Sequence, residues 1–144
     1  MVDRDPFDLE RFVAAQSGVI ERVRVELQSG RKQSHWMWFV FPQLAGLGFS
    51  PMAQRYAIAS LDEARAYLAH HLLGARLREC TELVLAIHGK TAHEIFGSPD
   101  YLKFRSCLTL FAEAAPDEIV FNVALARYFA GAKDPRTLTL LHHA

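Results

Sequence analysis

Lys103 and Ser106 stand three residues apart in the run Asp100-Tyr101-Leu102-Lys103-Phe104-Arg105-Ser106-Cys107-Leu108-Thr109-Leu110-Phe111. On a helix that spacing makes them neighbours. An ammonium can hold phosphate or carboxylate as a point charge, and a lysine of lowered pKa can act as a base. The order is K-x-x-S, the reverse of the S-x-x-K of acyl enzymes, so it does not specify a covalent nucleophile. Helical geometry sets Lys103, Ser106 and Leu110 apart from the face made by Phe104, Leu108, Phe111 and Ala115. The plain alternative is a surface ion pair between Lys103 and Asp100, which is worth little.

A second constellation is His35, Trp36, Trp38 and Gln43 in the string Ser34-His35-Trp36-Met37-Trp38-Phe39-Val40-Phe41-Pro42-Gln43. Aromatic walls with a few orienting polar groups are what a pocket for a flat ligand needs. The glycine-punctuated loop that follows, Gly46 to Ser50, could complete the wall. The alternative is core packing, with each indole N–H satisfied locally. The apolar run Trp36–Phe41 could be a short buried strand or a buried helical turn, since so short a run carries no decisive period. As a strand it would put Trp36 and Trp38 on one face.

Arg22, Arg24, Arg31 and Lys32 form a basic cluster close to these aromatics, an arrangement that can hold single-stranded nucleic acid. Glu21 and Glu26 interrupt it, and a solvated helix face is the alternative. The histidines have no metal-ligand spacing: His70-His71 and His142-His143 are adjacent pairs, and neighbours on a helix point about 100° apart. Cys80 and Cys107 have no metal spacing either. Gly46-Leu47-Gly48 lacks the third glycine and the strand-to-helix context of a phosphate loop. No metal or cofactor is expected.

The elements that must position these groups are marked by punctuation. Asp5-Pro6, Ser50-Pro51, Ser98-Pro99 and Asp134-Pro135 each pair a capping residue with proline, which suits a helix start. Ser60-Leu61-Asp62-Glu63 and Thr91-Ala92-His93-Glu94 fit the capping box, and Asp117 is a further candidate start. Gly30, Gly89 and Gly131 suit helix ends. Leu73, Leu77, Cys80, Val84 and Ile87 make a helical stripe. The nearly all-apolar stretch Ile119–Ala130 predicts a central helix. Helices are therefore expected near 6–16, 19–29, 51–58, 61–69, 72–88, 92–96, 99–114, 118–130 and 135–142, with a break at Ser17-Gly18. This is an all-α, single-domain bundle of about seven to nine short helices spanning 1–144, with an irregular aromatic segment near 34–50.

Composition bounds the rest. The 144 residues are 51% hydrophobic and 22% charged, enough apolar material for a core. Sixteen basic and sixteen acidic residues leave zero net charge, which argues against broad attraction to nucleic acid or membrane. No apolar run approaches the ~20 residues that span a bilayer. The N-terminus has no signal-peptide pattern, and a cytoplasmic location is expected. Near-neutral charge offers little repulsion against self-association but leaves the oligomeric state open.

The first motif, His35 to Gln43 followed by Gly46-Leu47-Gly48 and Ser50, resembles the signature of an uncharacterised bacterial family, domain of unknown function 1810. The run Asp100–Phe111 looks like its second signature. The resemblance covers nearly the whole chain and implies a helical single domain with no established activity. The family often has Ser where Cys107 stands and His-Pro in place of His70-His71, which makes Cys107 a poor essential nucleophile. Some members carry the genome label calpastatin. Calpastatin-type inhibitors resemble extended, disordered chains, the opposite of this composition.

Taken together, the residues point to a small-molecule-binding domain, enzymatic or not, with one pocket. His35, Trp36, Trp38, Gln43 and Ser50 would line it. Lys103 and Ser106 would favour an anionic or nucleotide-like ligand. The alternatives are a protein–protein interaction module that exposes the tryptophan segment and a nucleic-acid accessory protein.

Overall fold

Caps and turns divide residues 5–142, the part that the computed structural model describes, into ten helices. They are α1 (Glu10–Ser17), α2 (Ile20–Gln28), α3 (Met37–Val40), α4 (Pro51–Arg55), α5 (Leu61–Ala69), α6 (Leu73–Leu85), α7 (Ala92–Phe96), α8 (Asp100–Ala114), α9 (Ile119–Phe129) and α10 (Pro135–His142). No strand is present among the described residues. The nine expected helices all form, and the tenth, α3, is the aromatic run resolved as one helical turn. Of the pair His142-His143, His143 lies outside the described residues.

Several starts follow the expected chemistry. The Ser50 hydroxyl accepts from Ala53 N (3.1 Å) and that of Ser60 from Glu63 N (3.2 Å). Thr91 and Glu94 form a reciprocal capping box. Asp134 accepts from Thr137 N at 2.9 Å. Other starts differ. Asp5 does cap α1, but from four residues upstream: its carboxylate accepts from Leu9 N (2.7 Å) and Glu10 N (2.9 Å), across a turn in which Asp8 takes φ +52°. Ser98 does not cap α8, which begins at Asp100 after a cis Ser98–Pro99 bond. Asp117 caps nothing, because α9 starts two residues later behind Glu118.

One contiguous hydrophobic cluster joins the helices. Its centre is α8 rather than α9. Phe104, Cys107, Leu108, Leu110 and Phe111 of α8 are fully buried, whereas Ile119 and Val123 of α9 are 74% and 41% exposed. An apolar sequence marks a helix that can be central. Here α9 packs one face on α8 and α6 and leaves the other in water.

The 43–58 segment is fixed by a parallel bridge between Leu44 and Ile58. Ile58 N donates to Gln43 O and Ala45 N to Ile58 O, both at 2.8 Å. This pairing ends α4 early, at Arg55. Arg11 secures the same corner by donating to Arg55 O and Ala57 O.

Candidate functional site

The aromatic segment is organised by a carboxylate. Glu26, 6% exposed on α2, accepts from Gln33 N (2.7 Å), Ser34 N (2.9 Å), Ser34 Oγ (2.6 Å) and the Trp36 indole (2.9 Å). Burial pushes its pKa up, but these donors together outweigh that and hold it at about 2. Trp36 is 1% exposed and its N–H is used, so it is core. Because α3 is helical, Trp36 and Trp38 lie about 200° apart rather than on a shared face. Trp38 consequently faces outward, half-buried, with the Lys103 ammonium 5.4 Å from its ring centroid.

Lys103 makes the expected contact with Asp100, at 3.7 Å. The same carboxylate lies closer to Lys32 (2.8 Å), whose ammonium sits 5.2 Å from the Trp36 ring. One carboxylate thus serves two ammonium groups and leaves a surplus positive charge beside Trp38.

Next to this array is a cavity of about 430 Å³ between the 43–53 loop, the first half of α8 and the start of α10. Gln43, Ser50, Lys103 and Ser106 line it. So do Arg105, Arg136 and Asp134. The Gln43 wall is set by the Ile58 pairing. The start of α10 is pinned to α8 through Asp134 N, which donates to Thr109 Oγ1 at 2.9 Å, and this brings Arg136 to the rim. Ser106 Oγ donates back to Leu102 O at 3.1 Å. Arg105 reaches Asp134 only at 3.4 Å, and its buried Nε has no partner among the described residues. Arg136 touches Gly46 O at 3.5 Å. The lining therefore carries three cations against one carboxylate, in a chain of zero net charge. Oriented donors with surplus positive charge are suited to an oxyanion.

Seven residues were expected to share one pocket. Gln43, Ser50, Lys103 and Ser106 do share one, and Trp38 borders it through Lys103. Trp36 belongs to the core, and His35 is exposed outside the cavity. Ser50 also serves as the α4 cap. Arg105 escaped the sequence reading although it lies between Lys103 and Ser106. Arg136 carried no signal, since only the tertiary pinning of α10 brings it near. Glu26 read as a break in a basic cluster and is instead the anchor of the tryptophan segment.

Half of the basic cluster is neutralised, while Arg22 and Arg31 are exposed at the surface. Arg24 is paired to Glu21 and to Glu79 (2.9 Å), and Lys32 to Asp100. Cys80 and Cys107 are unpaired and buried. Burial pushes the Cys80 thiol up to about 12 and that of Cys107 well above its usual range, so neither is a ready nucleophile. Among the described residues, no group of three His, Cys, Asp or Glu side chains could hold a metal ion. No helix there is long and apolar enough to cross a membrane. A second cavity, about 480 Å³ between α5 and α10, is lined largely by Leu44, Leu61, Leu140 and Leu141. Its Arg65 is engaged by Ala114 O and Asp62, which leaves no unengaged cation for an anion.

Fold and cavity together define a class: an all-α protein with a cation-lined pocket on its central helix. The chain belongs to the family described as "Protein of unknown function (DUF1810)", whose sequence model matches residues 6–141. It is also similar to the conserved hypothetical protein Rv1873 from Mycobacterium tuberculosis, known from a crystal structure. The two are 57% identical, with a TM-score of 0.95, over 96% of this chain and 99% of that one. Comparison with curated proteins gives no match. These likenesses establish family and fold and carry no activity with them.

Proposed function

We propose that this protein binds a small anionic molecule in the cavity on α8. The observation that carries the reading is the convergence of Lys103, Arg105 and Arg136 on one 430 Å³ space, opposed in its lining by Asp134 alone. The size lies within the ordinary range for ligand pockets, about 300–1,000 Å³. Gln43, Ser50 and Ser106 add polar groups that orient a ligand. The burial of Trp36 favours this reading over an interaction module built on an exposed tryptophan segment. The zero net charge and the pairing of Arg24 and Lys32 with carboxylates speak against a nucleic-acid role. Buried, unpaired thiols fit a reducing compartment such as the cytoplasm.

Thermal unfolding in the presence of inorganic phosphate and phosphate esters tests the proposal. A bound anion raises the Tm by mass action. Lys103→Ala should abolish the rise while leaving the unliganded Tm nearly unchanged, since Lys103 is partly exposed and its pair with Asp100 is long. An unchanged rise in the variant would refute the assignment.

A further inference from the structure

Resting on that reading, we infer that the ligand is a phosphomonoester carrying a planar aromatic group, of the nucleoside monophosphate kind. The charge count comes first. The lining holds three cations and one carboxylate. The adjoining Lys32–Asp100 pair adds one of each, so the net stays at two positive charges. A phosphomonoester carries about −1.5 to −2 near neutral pH and three acceptor oxygens, whereas a carboxylate would neutralise only one charge. Arg105 lines the cavity, and its long contact to Asp134, 3.4 Å, leaves its guanidinium weakly engaged by that carboxylate.

The aromatic part follows from the mouth of the cavity. Five large hydrophobic side chains are exposed among the described residues: Val25, Phe49, Leu102, Ile119 and Val123. Two of them, Phe49 (74%) and Leu102 (41%), line this same cavity. Phe49 is the single exposed aromatic in that set. The backbone just before it is constrained, because a Cβ on Gly48 would come within 2.8 Å of Ala53 Cβ. The loop backbone therefore packs tightly on α4 beside Phe49, which lines the rim. An exposed ring beside an anion site is a stacking platform for a base. The Gln43 side-chain amide has no hydrogen-bond partner among the described residues and offers both a donor and an acceptor to a base edge.

Isothermal titration of the full chain with inorganic phosphate, ribose 5-phosphate and the AMP, GMP, CMP and UMP series tests this. At least one nucleotide should bind ten-fold or more tightly than ribose 5-phosphate. Phe49→Ala should erase that gain and leave phosphate affinity within two-fold. The exposure of Phe49 makes this variant safe for folding, and circular dichroism checks it. Nucleotides no tighter than ribose 5-phosphate would overturn the aromatic inference while the anion site stands. A gain that persists in Phe49→Ala would overturn it too. Absence of binding by every probe, phosphate included, would overturn the inference and the underlying reading together.

Discussion

A buried carboxylate with four donors is the residue on which the aromatic segment depends. Glu26→Gln keeps the shape of the side chain but removes the charge and turns one acceptor into a donor facing N–H groups. The shift from 4.5 to about 2 corresponds to about 3 kcal/mol of stability. The sign follows from the depressed folded value. The contribution is complete above the unfolded pKa near 4.5 and is lost as the pH falls through about 2. Urea midpoints should therefore separate wild type and variant clearly at pH 6, and the gap should narrow by pH 3. A gap of equal size at both pH values would mean that the Glu26 charge is not what anchors the segment. Nothing about Glu26 was legible from the sequence, because its partners at Gln33, Ser34 and Trp36 are assembled by a turn after α2. Lys103, Ser106 and Gln43 were legible because they are polar residues inside otherwise apolar strings.

Among the helices, α6 has an unusual start. The Nδ1 of His70 accepts from Leu72 N (3.1 Å) and Leu73 N (3.3 Å), so a neutral imidazole does the work of a capping oxygen. Its ring stacks on His71. Burial lowers the His70 pKa, the His71 charge lowers it further, and Asp5 and Glu10 oppose the shift while Arg76 adds to it. With the folded value below the ordinary 6.5, stability is complete above that pH and declines as the pH falls through the folded value. His70→Asn keeps an acceptor that does not titrate, so its Tm should fall less between pH 7 and pH 5 than that of the wild type. His70→Ala should cost about 1 kcal/mol, the usual scale of a lost cap. Identical pH slopes for wild type and His70→Asn would exclude this role. Local signals made the elements themselves readable. Proline-linked caps and capping boxes depend on a few adjacent residues, so Ser50, Ser60, Thr91 and Asp134 mark real starts. The apolar run at 36–41 was ambiguous because one turn is too short to show a period. The centrality of α9 was misjudged because apolarity does not reveal how many neighbours a helix has, and Ile119 and Val123 remain in water.

Across the whole molecule, helices distant in sequence bring two family signatures to one cavity. The bridge from Ile58 holds Gln43, while the Thr109–Asp134 bond holds Arg136 against α8. The charge balance of zero conceals this local surplus, since Arg105 and Arg136 lie 31 positions apart and meet only in the folded chain. The most direct measurement is a ¹⁵N-correlation titration of the protein with inorganic phosphate. Saturable amide shifts should cluster at residues 43–53, 99–106 and 134–137, around the cations of α8 and α10. Shifts centred instead on Leu61, Arg65 and Leu141, or no saturable shift anywhere, would contradict an anion site on the central helix.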